Sequence, residues 1–204
     1  MSVNDIAAAL WQAAHVHGHA GLELEFRLGH SLPGGHFSPN VGKEQFLRLM
    51  AKLDASKAFG TVTDIETIDR IGTAKHVTTT HVAIDGVVSD VPPPYCMTKS
   101  KVFQLDSTLD ECPYTIRTSL AIEKIVPDHD VVARYTRRKT RRRYALANWA
   151  FDLTRVVSNV DIDAEETYEV EIELTDPGLL FEKTAPHIAS WGLDLVRDAV
   201  RMLA

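Results

Sequence analysis

Two stretches of the chain carry acids at every second position. In Leu22–Leu28 (LELEFRL), Glu23, Glu25 and Arg27 alternate with Leu22, Leu24, Phe26 and Leu28. In Tyr168–Leu174 (YEVEIEL), Glu169, Glu171 and Glu173 alternate with Val170, Ile172 and Leu174. A strand turns successive side chains to opposite faces, so each run gathers its acids on one side. Either run alone reads equally well as the solvent face of an ordinary strand. Two like-charged ladders in one chain are costly unless cations neutralise them. Carboxylate oxygens are the hard ligands that Mg²⁺ and Mn²⁺ take, usually together with waters and substrate phosphates. The opposite charge is also patterned. Arg134–Arg143 (RYTRRKTRRR) holds seven basic residues in ten. Within it Arg137, Lys139 and Arg141 share a face, as do Lys99 and Lys101 in MTKSK and Arg117, Ser119 and Glu123 in RTSLAIE. A nuclear-localisation or RNA-binding patch is the plain alternative for the basic run. Its alternation with Thr, and the strand signals on either side, favour an inward row of cations. Carboxylates for a metal and cations for non-bridging oxygens are together what phosphoryl transfer to water requires.

These residues must be held by strands. Leu22–Leu28 alternates strictly. The middle of the chain is rich in β-branched residues over Thr61–Arg70 and Lys75–Ile84, with a hairpin signal at Asp85-Gly86 leading to a strand that ends at Asp90. Pro92-Pro93-Pro94 breaks the pattern. Further strands are predicted over Cys96–Leu105, Tyr114–Lys124, Val131–Tyr144, Trp149–Asn159 and Tyr168–Leu174. Helices are predicted over Asn4–His19, with an apolar stripe of Ile6, Leu10, Trp11 and Ala14, and over Lys43–Lys57 and Ala185–Leu203. Ser31–Gly42 reads as a Gly/Pro loop. Many short-spaced strands with helices outside them suggest an α+β protein built round an antiparallel barrel, in one domain over residues 1–204.

Composition narrows the classes. The chain has 204 residues, 45% of them hydrophobic, and a net charge of −6. That balance argues against a protein that coats nucleic acid through its general field. It hides local segregation, since residues 161–173 carry seven acids in thirteen. Cys96 and Cys112 have no metal-binding spacing and read as free thiols. No secretory signal and no bilayer-spanning apolar run is evident, so no membrane partner is expected and the chain reads as intracellular.

Five motifs occur in order: GLELEFRLG, the R-x-S-x-x-x-E of RTSLAIE, the R-x-K-x-R of RRKTR, the W-x-x-D-L-T of WAFDLTRV, and the closing YEVEIEL. Over about Gly21–Leu174 this resembles the RNA 5′-triphosphatases of fungal, protozoan and large-DNA-virus mRNA capping, members of the triphosphate tunnel metalloenzymes. The resemblance implies an eight-stranded antiparallel β-barrel, the triphosphate tunnel, braced by N-terminal, middle and C-terminal helices. It implies removal of the γ-phosphate from the 5′-triphosphate end of RNA with Mg²⁺ or Mn²⁺. Glu23, Glu25 and Glu173 would hold the metal, and Glu171 would bind a metal-bound or nucleophilic water. Glu123 would orient or deprotonate the attacking water. Lys99, Arg117, Arg137, Lys139 and Arg141 would hold phosphate oxygens, with Arg117 and Lys139 counted among the catalytic groups. Asp152 and Thr154 would support the basic strand, Glu169 would pair with one of its cations, and Arg27 would assist.

The sequence departs from the family pattern at Ala150, where a basic residue is common, and at His76, near where an arginine strand is usual. Lys75, Arg142 or Arg143 are candidate replacements. NTPs or tripolyphosphate are expected as further substrates and an RNA guanylyltransferase as a partner. The site of action is then the nucleus or a viral replication site. Rivals are an inorganic tripolyphosphatase or nucleoside triphosphatase of the same superfamily, and a non-catalytic phosphate-binding module. His15, His17 and His19 read as a hydrated helix end, Trp11, Trp149 and Trp191 as packing residues, and the last helix as a plug or brace of the barrel.

Overall fold

The computed structural model describes every residue except 1, 19, 73–75, 83–94, 110–111, 128–132, 161–162 and 204. The chain opens with helix α1 (Val3–His17), started by a capping box in which Ser2 and Asp5 each bond the other's backbone N–H. Strands β1 (Leu22–Ser31) and β2 (Phe37–Ser38) precede α2 (Lys43–Ala55). Seven strands follow: β3 (Thr61–Ile71), β4 (His76–Val82), β5 (Tyr95–Thr108), β6 (Thr115–Val126), β7 (Tyr135–Leu146), β8 (Trp149–Val160) and β9 (Asp163–Leu174). Short α3 (Leu179–Glu182) and long α4 (Ala185–Leu203) end the fold.

The pairings close into a ring in the order β1-β6-β5-β4-β3-β7-β8-β9, with β9 returning to β1, each pairing antiparallel. This is the expected eight-stranded barrel. The two-residue β2, inside the stretch read as a loop, extends the end of β1. The predicted hairpin at Asp85-Gly86, the strand end at Asp90 and the proline break fall outside the described residues, as do His19 and Lys75.

Period two decides which side is dry. Leu22, Leu24, Phe26 and Leu28 of β1 point outward with Ile116, Leu120 and Ile122 of β6, Trp149, Phe151 and Leu153 of β8, and Val170 and Ile172 of β9. They form one buried cluster with Ile6 and Leu10 of α1, Leu49 and Leu53 of α2, and Ile188, Leu193 and Val196 of α4. The hydrophobic core therefore lies between the barrel wall and the helices. The charged faces are left to line the interior, and α4 braces the wall from outside rather than plugging the lumen. Gly192 marks how close it comes: a Cβ there would stand 2.4 Å from Phe26 and 2.6 Å from Trp149. One packing expectation fails. Trp11 is 65% exposed and stacks on His15 at 5.2 Å, because the buried stripe of α1 is Ile6, Ala7, Leu10 and Ala13. Trp149 is buried as expected, and Trp191 is partly buried against the core.

Candidate active site

The register brings the alternating residues face to face. Glu25 pairs across β1–β6 with Ser119, and Arg27 with Arg117; across β1–β9, Glu25 meets Glu173 and Arg27 meets Glu171. On the far wall Arg137, Lys139, Arg141 and Arg143 of β7 lie opposite Ser158, Val156, Thr154 and Asp152 of β8. Lys99 of β5 lies opposite Glu123 of β6. The carboxylates read from the sequence, and Lys99, Arg117, Arg137, Lys139 and Arg141, thus face one lumen, whereas the candidate substitute Arg142 turns outward to Asp54 and Asp64.

Near the start of β1, Lys99 Nζ bridges three acids: it contacts Glu23, lies 3.8 Å from Glu25 and 3.6 Å from Glu123. Farther along β1, Arg27 bonds Glu25 at 3.2 Å and contacts Glu171, which also lies 3.6 Å from Arg141. Across the lumen Asp152, fully buried, accepts from Arg141 at 3.0 Å and from Arg143 twice, at 2.8 and 2.6 Å. Thr154 accepts from Arg141 Nε at 3.1 Å, and Arg143 also reaches Glu173. Glu169 faces Arg27, Lys139 and Arg137 but closes no ion pair among the described residues, so its expected pairing is not a direct one.

The electrostatics follow from burial. Desolvation pushes Glu23, Glu25 and Glu169 above the usual carboxylate range, with neighbouring carboxylates adding to it and Lys99, Arg27 or Lys139 opposing it. Glu173 is pushed up to about 8 by burial and by the charges of Asp152 and Glu23, against the pull of Arg143. Glu171 is desolvated too, yet Arg27, Arg141, Lys139 and Lys99 outweigh burial and hold it down to about 2. It stays ionised as an acceptor.

Two acids of the site escaped the sequence reading. Asp69 of β3 is buried, accepts from Thr79 at 3.0 Å and binds Lys139 at 2.7 Å, with Arg137 at 3.8 Å. Asp106 of β5 grips Arg117 with two bonds of 2.7 Å, while the Phe37 ring lies 4.2 Å from that guanidinium. Phe37 reaches this place because Gly29 has no side chain; a Cβ there would stand 2.1 Å from Ser38 O and 2.5 Å from the Phe37 ring. Arg143, named only as a substitute, is as deeply engaged as Arg141.

Among the described residues no three carboxylates converge closely enough to hold a metal ion. Lys99 and Arg143 sit on them instead. The donor set nonetheless suits a divalent cation: Glu23, Glu25 and Glu173 are hard, crowded and raised by burial, a state that a bound cation relieves.

The family model for the mRNA capping enzyme, beta chain, matches residues 57–188. The chain is also 31% identical over 182 residues to the 5′RNA triphosphatase A449R of Paramecium bursaria Chlorella virus 1, with 88% of each chain covered. The chain belongs to the mRNA capping enzyme beta-chain family. The chain shares its fold with the S. pombe RNA triphosphatase Pct1, at TM-score 0.81 and 18% identity over 98% of this chain and 92% of that one. Pct1 has the same likeness when in complex with the Spt5 CTD. The Mimivirus capping enzyme triphosphatase aligns at TM-score 0.58 and 16% identity over 97% and 96% of the two chains. The barrel and the family thus agree. No helix among the described residues is long and apolar enough to cross a membrane.

Proposed function

We propose that this member of the family is a metal-dependent RNA 5′-triphosphatase. It cleaves the bond between the β- and γ-phosphates of a 5′-triphosphate end with water, releasing inorganic phosphate and a diphosphate end. The observation that carries this reading is one closed barrel whose inner face holds both the acids and the cations. Glu23 and Glu25 of β1 share a face, with Glu25 opposite Glu173 of β9, and Arg137, Lys139, Arg141 and Arg143 of β7 line the same lumen.

Glu23, Glu25 and Glu173 are the residues that would hold Mg²⁺ or Mn²⁺, which supplies charge neutralisation at the γ-phosphate. Lys99, Arg117, Arg137, Lys139 and Arg141 bind the phosphate oxygens. Arginine forks match such oxygens in two-point contacts and carry no base information. Asp152 and Thr154 fix the Arg141 fork, and Asp69 fixes Lys139, so these donors are oriented before substrate arrives. Glu171, ionised between Arg27 and Arg141, accepts from the attacking water. Glu123 orients that water and takes its proton. Arg27 bridges Glu25 and Glu171 through its Nη2 and offsets their repulsion.

NTPs and tripolyphosphate present the same anhydride chain and are accepted by the same lining. The diphosphate end is the substrate a guanylyltransferase consumes, which makes such an enzyme the natural partner, in a nucleus or at a viral replication site. The test is release of phosphate from triphosphate RNA, ATP and tripolyphosphate with and without Mn²⁺. Phosphate affinity with no turnover on any of the three would instead make the chain a binding module.

A further inference from the structure

We infer that Arg143 is a sixth phosphate-binding cation, one that serves as counter-ion to Glu173 until a divalent cation takes that carboxylate. The inference rests on the functional reading above and assigns a residue outside the R-x-K-x-R run. Ala150 is fully buried on the lumen side of β8, directly opposite Ala145 and Glu173, and offers Glu173 no counter-charge. The counter-charge comes from the next strand. Arg143 lies two residues before Ala145 on β7, and its guanidinium reaches across to Glu173, the direct partner of Ala150.

The hold on Arg143 is that of a pre-aimed donor. Nε and Nη2 bond the two oxygens of Asp152, at 2.8 and 2.6 Å, so the fork has one orientation. Asp152 also holds Arg141, and the two guanidinium groups are fixed side by side. Nη1 makes no hydrogen bond among the described residues, the side chain is 29% exposed, and the residue opposite on β3 is the uncharged Thr63. Two N–H groups are therefore available on the lumen side. Once a metal binds Glu173, the Nη2 group released from that acid adds to them. Arg143 then belongs to the substrate, while its Asp152 bonds persist.

A purely structural Arg143 would act otherwise, since its removal would loosen the metal and phosphate sites together. The experiment uses the full chain, wild type and the variants Arg143→Ala and Arg143→Lys. Calorimetry reads two affinities: Mn²⁺ alone, and in saturating Mn²⁺ an ATP analogue whose β,γ-bridging oxygen is replaced by methylene, which cannot be hydrolysed. Arg143→Ala should bind Mn²⁺ at least as tightly as wild type, because a competitor for Glu173 is gone. It should bind the analogue about ten- to a hundredfold more weakly, the scale of a lost charge-assisted hydrogen bond. Arg143→Lys, which keeps the charge without the fork, should regain part of the analogue affinity. Analogue binding within twofold of wild type in Arg143→Ala, or a parallel fall in Mn²⁺ and analogue affinity, overturns the inference. Because both readings are binding constants, they stand even if wild-type protein releases no phosphate from any triphosphate, a result that would overturn the functional reading instead.

Discussion

Glu25 on β1 and Glu173 on β9 stand directly opposite one another across the seam that closes the barrel. Each is held above its ordinary range, foremost by desolvation, with Glu171 and Glu23 adding at Glu25 and Asp152 and Glu23 adding at Glu173. A third, Glu23, lies two residues along β1 on the same face. Removing any one of them takes away a metal ligand while relieving repulsion. Glu23→Ala, Glu25→Ala and Glu173→Ala should each abolish phosphate release, with melting temperatures within a few degrees of wild type by circular dichroism. Near-normal turnover of one variant at saturating Mn²⁺ strikes that residue from the ligand set.

Glu123 sits at the edge of this acid group, 3.6 Å from Lys99 Nζ. Glu123→Gln keeps its shape and loses its charge. It should bind Mn²⁺ and triphosphate normally and lose about 10²–10⁴-fold in kcat, the usual contribution of a general base or water-orienting group. If affinity falls in step with rate, the residue is a ligand or a partner of Lys99 rather than a base.

The lining reads charge and geometry. Tripolyphosphate should therefore compete with triphosphate RNA of any sequence for one site. Arg137→Ala, which leaves Lys139 as the partner of Asp69, should weaken both substrates together. Inhibition kinetics decide this; a strong preference for one RNA sequence with no competition from tripolyphosphate would require a reading surface outside the barrel.

Gly192 should tolerate no side chain. The atoms that a Cβ would meet belong to Phe26 and Trp149, both fully buried, so Gly192→Ala must displace α4 or the wall. Overpacking of this kind costs about 1–3 kcal/mol. Chemical denaturation should show that loss, while folded protein keeps its KM for triphosphate. An unchanged midpoint would mean that α4 yields easily.

The strands of the site were legible because their alternation is strict. LELEFRL and YEVEIEL, and Arg137, Lys139 and Arg141 of RRKTR, put their alternating charges on one face in the observed register, and Ala185–Leu203 is the helix its periodicity describes. Asp106 was hidden by a bulge. The register of β5 slips between Lys101 and Phe103, so the inward positions pass from odd to even numbers and Asp106 joins the face of Lys99. Counting by twos puts it on the wrong side. Asp69 was hidden differently: in TVTDIETIDRI acids occur on both faces, and nothing in one strand distinguishes the inside of a barrel from its outside. Arg143 was obscured by the density of the basic run, where Arg138 and Arg142 point outward to Glu66, Asp54 and Asp64. Trp11 misled because it borders the buried stripe of its helix without belonging to it. β2 is too short to show a period at all.

The apolar core of this molecule flanks its active chamber, outside β1, β6, β8 and β9, instead of filling it. Substitutions that retune the chamber and substitutions that alter fold stability consequently fall on alternate residues of the same strands. A lineage could exchange one cation for another, as Ala150 and Arg143 suggest, without touching a single residue that packs against the helices. Even and odd positions of β1, β8 and β9 should accordingly drift under separate constraints, one set by solvent exclusion and the other by the anion in the lumen.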